Sequence, residues 1–430
     1  MYLFLRLDTL IGEVRAARPN YGWAVIAVVF ASMAVSIGGS HYAFGLFVVP
    51  LEDQFGWSRT QVNAALSFSA IAGLTAPLVG RALDRIGARP VMSASLLLLA
   101  ISFLLRPLIT DLWQWYALSF LQFLGFPGAS ILAGPRLVSA WFPETRGRMM
   151  GVSSMGANFG GLTLPLLLGV IISRTDWRWG FTALGIMAAV IALLSFLLIK
   201  EGPSHGTRAS DAATAPPIRS RTSRRLDPAS GATVNEALHS TSFYALTLAI
   251  VAATFTYSAV LTQIIPHLQN EGLSLTRATL FLSLLAVFGM VGKLSFGYLT
   301  ERFLARYVFM ISLAIQSLCL IALILGPDTP ALWIALPFFG IGIGGMGTTL
   351  PILVQDTVGM KNFGAIYGLV TLATIASSLL GPLLAGVIFD SRGNYDLAFL
   401  IIIGIFAFGA AVSRLAQPWS LQPALSSSKS

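Results

Sequence analysis

Long apolar stretches separated by short polar segments occupy almost the whole chain. A helix needs about 20 predominantly apolar residues to cross a membrane. About twelve stretches meet this length, and they lie near residues 22–50, 61–83, 90–109, 113–141, 148–172, 179–199, 241–267, 276–300, 306–326, 331–355, 363–389 and 396–416. The pattern predicts an all-α membrane protein with twelve transmembrane helices, numbered here as spans one to twelve.

The second half of the chain repeats a charged stretch of the first half. Residues 80–89 read GRALDRIGAR, and residues 297–306, which lie 217 residues further on, read GYLTERFLAR. The same offset relates Gly147 to Gly364 and residues 169–171 to residues 386–388. The chain is therefore predicted to form two pseudo-symmetric six-helix halves, residues 1–200 and 240–430, joined by residues 201–239.

The repeated stretch places an acid and arginines between two apolar runs. Charge-assisted hydrogen bonds are the strong kind. At the mouth of a helix they could hold one end of the bundle shut and break when that end opens. A plainer interpretation is a charged turn that marks the cytoplasmic side, but recurrence in the same register favours a gate. The predicted gating residues are Gly80, Asp84, Arg85, Arg89, Glu301, Arg302 and Arg306.

The segment between the halves has a different composition. Residues 201–239 are rich in Ser, Thr, Ala, Pro and Gly and contain five arginines. Since such a segment has too few apolar residues to bury a core, it is predicted to be a flexible cytoplasmic linker. Its arginines could contact anionic lipid heads, although a solvated tether is the simpler interpretation.

Composition and charge agree with a membrane protein. The chain is 55% hydrophobic and 10% charged, whereas soluble domains carry about 25% charged residues. The net charge of +9 comes mostly from Lys and Arg in alternate loops, which marks the cytoplasmic side. We expect an integral protein of a bacterial inner (cell) membrane with both termini in the cytoplasm. No soluble basic face is present for a nucleic acid.

The sequence carries no pattern of an enzyme. Cys319 is the only cysteine, so neither a disulfide framework nor a thiolate metal site is expected. Residues 340–345 spell a dinucleotide-binding fingerprint, but no strand precedes them. Charged residues interrupt the first 18 positions, unlike a secretory signal. We expect no catalysis, no cofactor and no metal.

Several stretches resemble a known family. The motif at residues 80–89, Gly-x-x-x-Asp-Arg-x-Gly-x-Arg, together with twelve spans and a long central loop, resembles the major facilitator superfamily. The resemblance covers essentially the whole chain outside the linker. Residues 21–25, 42–45, 55–59 and 141–147 are similar to the monocarboxylate transporters and the bacterial oxalate/formate antiporters. The resemblance implies the major facilitator fold and transport by alternating access, with a site near the membrane midplane between the halves.

The chain also departs from these families. Animal monocarboxylate carriers have a Lys late in span one, where this chain has Leu46. They have an Asp and an Arg one turn apart in span eight, where this chain has Gly289 and Lys293. The resemblance thus implies a retained positive charge without the acid that relays protons, and it leaves proton symport and anion exchange both open.

Lys293 is the leading candidate for binding a substrate. It lies roughly 10 Å, about seven residues, inside its span, and a charge at that depth usually faces a bundle interior. The alternative is snorkelling to the membrane surface. Further candidates for the cavity wall are His41, Tyr42, Tyr116, Gln122, Arg136, Asn158, Tyr257, Gln263 and Tyr367.

Each of these further candidates has a structural alternative. The uncharged ones could join helices by hydrogen bonds. His41 could be a satisfied structural histidine, and Arg136 could cap helix-end carbonyls or pair with Glu144.

Together these features predict a secondary active transporter of a small organic anion, in the first place a monocarboxylate. The alternatives are an efflux pump for apolar compounds and a non-transporting membrane sensor. The expected partners are the anion, protons if transport is proton-coupled, and membrane lipid. We expect a monomer that binds no nucleic acid.

One prediction concerns proton coupling, because no Asp or Glu lies in the middle of a predicted span. His41 is the one residue well inside a span whose ordinary titration lies near neutral pH, unless the substrate or Lys293 carries the proton. If the carrier is proton-driven, His41→Gln should remove accumulation driven by a pH gradient and leave anion exchange. Uptake into vesicles with and without an imposed gradient measures this. Gradient-driven accumulation in the variant would exclude His41 as the proton carrier.

Overall fold

The computed structural model describes residues 21–201, 231–325 and 330–419. In this part of the chain, eleven helices are long and apolar enough to cross a membrane. They are Tyr21–Tyr42, Thr60–Ile86, Ala88–Leu108, Leu112–Trp141, Arg146–Arg174, Trp177–Leu198, Ser283–Arg302, Ala305–Ile324, Pro330–Val358, Phe363–Arg392 and Asp396–Ser413. The eighth span begins earlier than this apolar window, as the helix Leu275–Arg302.

Span seven completes the predicted set of twelve. It consists of the apolar helix Thr241–Phe255, a π-helical turn Thr256–Val260 and the helix Leu261–Asn270. Its repeat partner, span one, has the same construction, with a π-helical turn at Gly38–Tyr42 and a helix at Gly45–Phe55. The predicted all-α fold with twelve membrane helices is confirmed.

The two halves meet along two pairs of helices. Span two packs against span eleven, and span five packs against span eight. The two pairs are related by the repeat, because span two corresponds to span eight and span five corresponds to span eleven. We call the end of the bundle at which residues 84–89 and 301–306 lie the cluster end.

Glycines allow the helices to touch backbone to backbone at the cluster end. A Cβ added at Gly80 would overlap the carbonyl of Gly364, and one added at Gly147 would overlap the carbonyl of Gly297. Small residues permit such close crossings between membrane helices. In the repeat, Gly80 corresponds to Gly297 and Gly147 corresponds to Gly364. Both crossings are therefore formed by the same two glycine positions of the repeated sequence.

The end of the predicted flexible linker is ordered, which corrects that expectation for residues 231–239. Thr233 and Glu236 form a capping box at the start of the short helix Val234–Leu238. The Ala232 amide donates to the Val358 carbonyl at 2.8 Å, and the Ala237 side chain is buried. A Thr-x-x-Glu capping signal and small alanines let this segment pack on the second half. Residues 202–230 lie outside the described residues.

Glycine packing inside the first half gives a testable prediction. Gly160 of span five lies against span one, and an added Cβ would come 2.6 Å from the Cα of Ala34. Gly160→Ala should therefore destabilise the protein by about 1–3 kcal/mol, as overpacking typically does. Thermal unfolding of the purified protein measures this.

Gly169 is a matched control on the same helix, since nothing lies within 4 Å of an added Cβ there. Gly169→Ala should leave the melting temperature unchanged or raise it. Equal melting temperatures for the two variants would contradict the close packing of spans one and five.

Candidate functional site

Two cavities lie between the halves of the bundle. The larger has a volume of about 280 Å³ and is bounded by spans one, four, five, seven, ten and eleven. The smaller has a volume of about 70 Å³ and lies beside Lys293, between spans one, five, seven, eight and ten. Tyr257 lines both cavities, so they adjoin at its side chain.

The Lys293 side chain crosses from the second half to the first. It is 7% exposed, and its Nζ donates to the Ser154 carbonyl at 2.6 Å and to Asn158 Oδ1 at 2.6 Å. No acidic side chain within the described ranges lies at ion-pair distance from this ammonium group. Among the described residues, Lys293 is therefore a buried amino group without an acidic partner, and it does not snorkel to the membrane surface in this conformation.

Three of the other predicted residues join Lys293 around the smaller cavity. Asn158 Nδ2 donates to the Ala286 carbonyl at 2.8 Å, which orients Oδ1 towards Lys293. Tyr42 and Tyr257 line the cavity and remain 50% and 43% exposed. Since both side chains lie inside the bundle, their exposure is to the space between the halves. Tyr367, which is almost fully buried, lies on the wall of the larger cavity.

Besides Arg136, which is described below, four predicted residues lie away from both cavity walls. His41 contacts the ring of Phe126 edge-on, with 5.3 Å between ring centroids. The Tyr116 hydroxyl donates to the Gln61 carbonyl at 2.9 Å. Gln122 is buried and accepts a hydrogen bond from an arginine, and Gln263 lies on Leu261–Asn270, beyond the π-helical turn of span seven. In this conformation Tyr116 and Gln122 join helices, as the structural alternative anticipated.

Arg106 explains the position of Gln122. Arg106 lies at the end of span three, next to a loop, but its side chain is 3% exposed. Its Nη2 donates to Gln122 Oε1 at 2.6 Å and to Ser119 Oγ at 3.2 Å. The guanidinium also lies 4.4 Å from the ring centroid of Trp115, a cation–π distance. The apolar residues on both sides of Arg106 in the sequence were the available signal for its burial.

Arg136 belongs to the cluster end and lines neither cavity. Its Nη1 donates to Asp84 Oδ1 at 2.7 Å, so its partner is Asp84 and not Glu144, as one alternative had it. Asp84 also accepts from the backbone amides of Gly364 at 3.0 Å and Ala365 at 2.8 Å. These amides belong to the first turn of span eleven, where N–H groups lack partners within the helix and the helix dipole favours an anion.

Glu301 makes the corresponding contact from the second half. It accepts from the Arg148 amide at 2.9 Å and from Arg148 Nε at 2.8 Å, at the first turn of span five. Asp84 and Glu301 are repeat partners. Each acid thus bonds the start of a helix in the opposite half.

The arginines of the predicted gating set have different positions. Arg89 Nε donates to the Phe196 carbonyl at 2.6 Å, and Arg306 Nη1 donates to the Arg414 carbonyl at 3.1 Å. Both bonds join spans within one half. Arg85 and Arg302 are exposed, and the guanidinium of Arg302 lies 4.5 Å from the Tyr298 ring centroid. Of the predicted set, Gly80, Asp84 and Glu301 make the contacts between halves described here.

Sequence analysis missed further contacts between the halves. Arg146 forms an ion pair with Asp356. Ser139 Oγ donates to Gln355 Oε1 at 2.7 Å, and the Ser154 and Thr348 hydroxyls lie 3.2 Å apart. Within the described part of the chain, the polar contacts between halves run from the cluster end to Lys293 and its partners, near the middle of the spans. This conformation is therefore closed at the cluster end.

Comparison with known sequences identifies related proteins. The sequence profile of the Major Facilitator Superfamily matches residues 24–374. Monocarboxylate transporter 12 of Rattus norvegicus is 23% identical over 418 residues, which cover 91% of this chain and 85% of that protein. The hexuronate transporter of Bacillus subtilis (strain 168) is 24% identical over 393 residues, covering 87% and 90% respectively.

Solved structures share the fold. The proton:xylose symporter XylE, bound to 6-bromo-6-deoxy-D-glucose, has a TM-score of 0.72 at 14% identity, covering 95% of this chain and 97% of that one. The human organic anion transporter MFSD10 has a TM-score of 0.69 at 17% identity, covering 92% and 100%. At these identities the likeness establishes the fold alone.

The geometry of Asp84 generates a prediction about closure. Asp84→Asn removes the charge that bonds Arg136 and the start of span eleven, so the cluster end should open more readily. Turnover should fall far more than substrate affinity. A cysteine at Ser153, on the larger cavity wall, should react faster with an impermeant reagent applied from the cluster side, in a chain whose native Cys319 is replaced by Ser.

Asp53→Asn provides the control, because Asp53 is exposed on the first span's other end. It should change neither turnover nor labelling. If Asp84→Asn and its parent are labelled at the same rate, the contact does not hold the cluster end shut.

Proposed function

The chain belongs to the major facilitator superfamily, and from this premise we propose that it transports a small organic anion whose carboxylate binds Lys293. One observation carries the proposal: Lys293 is a buried cation beside a cavity, with no acidic partner among the described residues. Placing a charge inside a membrane protein costs a few kcal/mol. A carboxylate ligand would offset that cost.

The hydrogen bonds of Lys293 leave room for such a ligand. An ammonium group has three N–H donors, and two of them point to Ser154 and Asn158. The third is available to a carboxylate in the smaller cavity. The Tyr42 and Tyr257 hydroxyls on the same wall could donate to the second carboxylate oxygen.

The names of the relatives support the same substrate class. Monocarboxylate transporters and a hexuronate transporter are named for carboxylates, although the two differ in the rest of the molecule. A carboxylate is thus the chemical group that their substrates share. An efflux pump for apolar compounds remains the alternative, favoured by the apolar wall of the larger cavity, but it would not require a cation at position 293.

The same bonds would couple binding to alternating access. Lys293 belongs to the second half, whereas Ser154 and Asn158 belong to the first. A carboxylate at Nζ would compete with these bonds and weaken the contact between halves. A ligand can shift a conformational equilibrium only through such differential contacts. The bonds of Asp84 and Glu301 would then break as the cluster end opens and the site becomes accessible from that side of the membrane.

Anion exchange is the coupling mode that the geometry favours over proton symport. The Asp that relays protons in animal monocarboxylate carriers corresponds to Gly289 in this chain. A Cβ added at Gly289 would come 2.9 Å from Asn158 Nδ2. Asn158 therefore occupies the space that an acidic side chain would need. His41, the other candidate proton carrier, contacts aromatic rings and lines neither cavity. In this scheme, symport requires that the substrate or Lys293 carries the proton.

The orientation in the membrane follows from the loop charges. We place the cluster end and both termini in the cytoplasm of a bacterial cell, with the protein in the inner membrane as a monomer. The arginines at the cluster end and the positive-inside rule support this placement. The cytoplasmic side is then the closed side in the present conformation.

Replacing Lys293 tests the anion site. Lys293→Ala should weaken carboxylate binding by about 2–5 kcal/mol, the usual effect of removing one partner of a buried charge pair. Lys293→Arg should keep part of the activity, because the charge remains while the donor geometry changes. Binding to purified protein and uptake into proteoliposomes measure the two effects.

Arg392→Ala serves as the control, since it removes one exposed positive charge at the opposite end of span eleven. It should leave binding unchanged. Uptake that survives in Lys293→Ala at the parent rate, in correctly inserted protein, would disprove the anion site.

A further inference from the structure

The two cavities differ in chemistry. Lys293, Asn158, Tyr42 and Tyr257 bring polar groups to the wall of the smaller one, beside apolar residues such as Leu261, Leu285 and Ile343. The larger is walled mainly by apolar side chains, which include Met33, Ile37, Ile131, Met150, Leu350 and Val370. A charged group and an apolar group would therefore find separate surroundings in two adjoining cavities.

The hydroxyl groups on the larger wall do not make it polar. Its serine and threonine hydroxyls lie within hydrogen-bond distance of backbone carbonyls of their own helices: Ser130 of Phe126, Ser153 of Met150, Ser154 of Gly151, Thr254 of Val251, Thr371 of Tyr367 and Thr374 of Thr371. Tyr257 and Tyr367 are the other hydroxyl-bearing residues on this wall, so a ligand with many hydroxyls would find few protein donors there. An unpaired polar group costs roughly 1–3 kcal/mol when it is buried.

We call the boundary between the two cavities, beside Gly347, the passage. Gly347 lies on the wall of the larger cavity. An added Cβ would meet the Tyr257 hydroxyl at 3.3 Å and Lys293 Cε at 3.9 Å. The stem of Lys293 and the end of Tyr257 therefore pass directly in front of this glycine. A carboxylate held at Nζ can extend past it into the larger cavity.

We propose that the substrate is an amphipathic monocarboxylate, with its carboxylate in the smaller cavity and an apolar body of several carbons in the larger one. This inference rests on the proposed function and specifies the part of the substrate that Lys293 does not bind. It favours alkyl or aryl carboxylates over polyhydroxylated ones such as hexuronates. The cavity of about 280 Å³ lies near the lower end of the range for small-molecule sites, roughly 300–1,000 Å³, so the body is compact.

A chain-length series on the purified full-length protein tests the proposal. Straight-chain carboxylates from acetate to octanoate, their matched alcohols and glucuronate are titrated calorimetrically. Affinity of the carboxylates should rise about fourfold per methylene, the effect of burying each CH₂, until the cavity is full. Glucuronate should bind more weakly than hexanoate. A flat series, or preference for glucuronate, overturns the inference.

Variants separate this inference from the anion site. Gly347→Leu fills the passage and should lower octanoate affinity by about tenfold or more, the loss of two or more methylene contacts, with a smaller effect on acetate. Gly404→Leu is the control, because Gly404 is an exposed helical glycine with nothing within 4 Å of an added Cβ. An equal loss for acetate and octanoate in Gly347→Leu counts against the two-part site.

The remaining outcomes are distinguishable. If carboxylates bind in a Lys293-dependent manner but without dependence on chain length, the anion site stands and the amphipathic substrate is wrong. If alcohols bind as tightly as carboxylates, and Lys293→Ala binds both, the proposed function itself fails and an efflux pump for apolar compounds takes its place. The series on the parent protein decides these outcomes even if the Gly347 variant does not fold.

Discussion

The closed end of this protein depends on two carboxylates that cap helices across the interface between its halves. Asp84 and Glu301 each accept hydrogen bonds from the first helical turn of the opposite half. That turn has N–H groups without intrahelical partners and the positive end of the helix dipole, so an acid stabilises it strongly. The contacts form only because glycines at the crossings let the backbones meet. Closure therefore requires the acid and the glycine together, and the repeated sequence supplies both twice.

The position of the cavities follows from where these contacts stop. The polar bonds between halves extend from the cluster end to Lys293 and Asn158 in the described residues, and the cavities lie where they end. Lys293 is thus among the innermost contacts between the halves and also borders the space where a ligand fits. In the proposed mechanism, a side chain in that position would couple ligand binding in the cavities to closure of the cluster end without further residues in between. The proposed transport mechanism needs only this one shared cation and the two capping acids.

The repeat is retained for the gate and lost at the site. At the 217-residue offset, Asp84 corresponds to Glu301, whereas Lys293 corresponds to Ala76. Ala76 is fully buried, and a Cβ added at Gly368 would come 2.4 Å from its carbonyl oxygen, so spans two and eleven cross closely at this position. In the proposed mechanism, capping acids in both halves would let the two halves rock in the same way. A single lysine on one side would give the proposed substrate one orientation.

The amino-acid sequence alone determined the twelve spans, the repeat, the end that bears the acids and the depth of Lys293, because the membrane imposes a helix length and makes buried charges rare. It left open whether Arg136 binds substrate or Asp84, and whether Gln122 lines a cavity or pairs with Arg106. It also gave no reason to expect the pairing of Arg146 with Asp356. Depth along a helix is a local property of the chain, set by hydrophobic length. The neighbour that a side chain meets depends on how helices far apart in the sequence cross, and only the tertiary structure decides that.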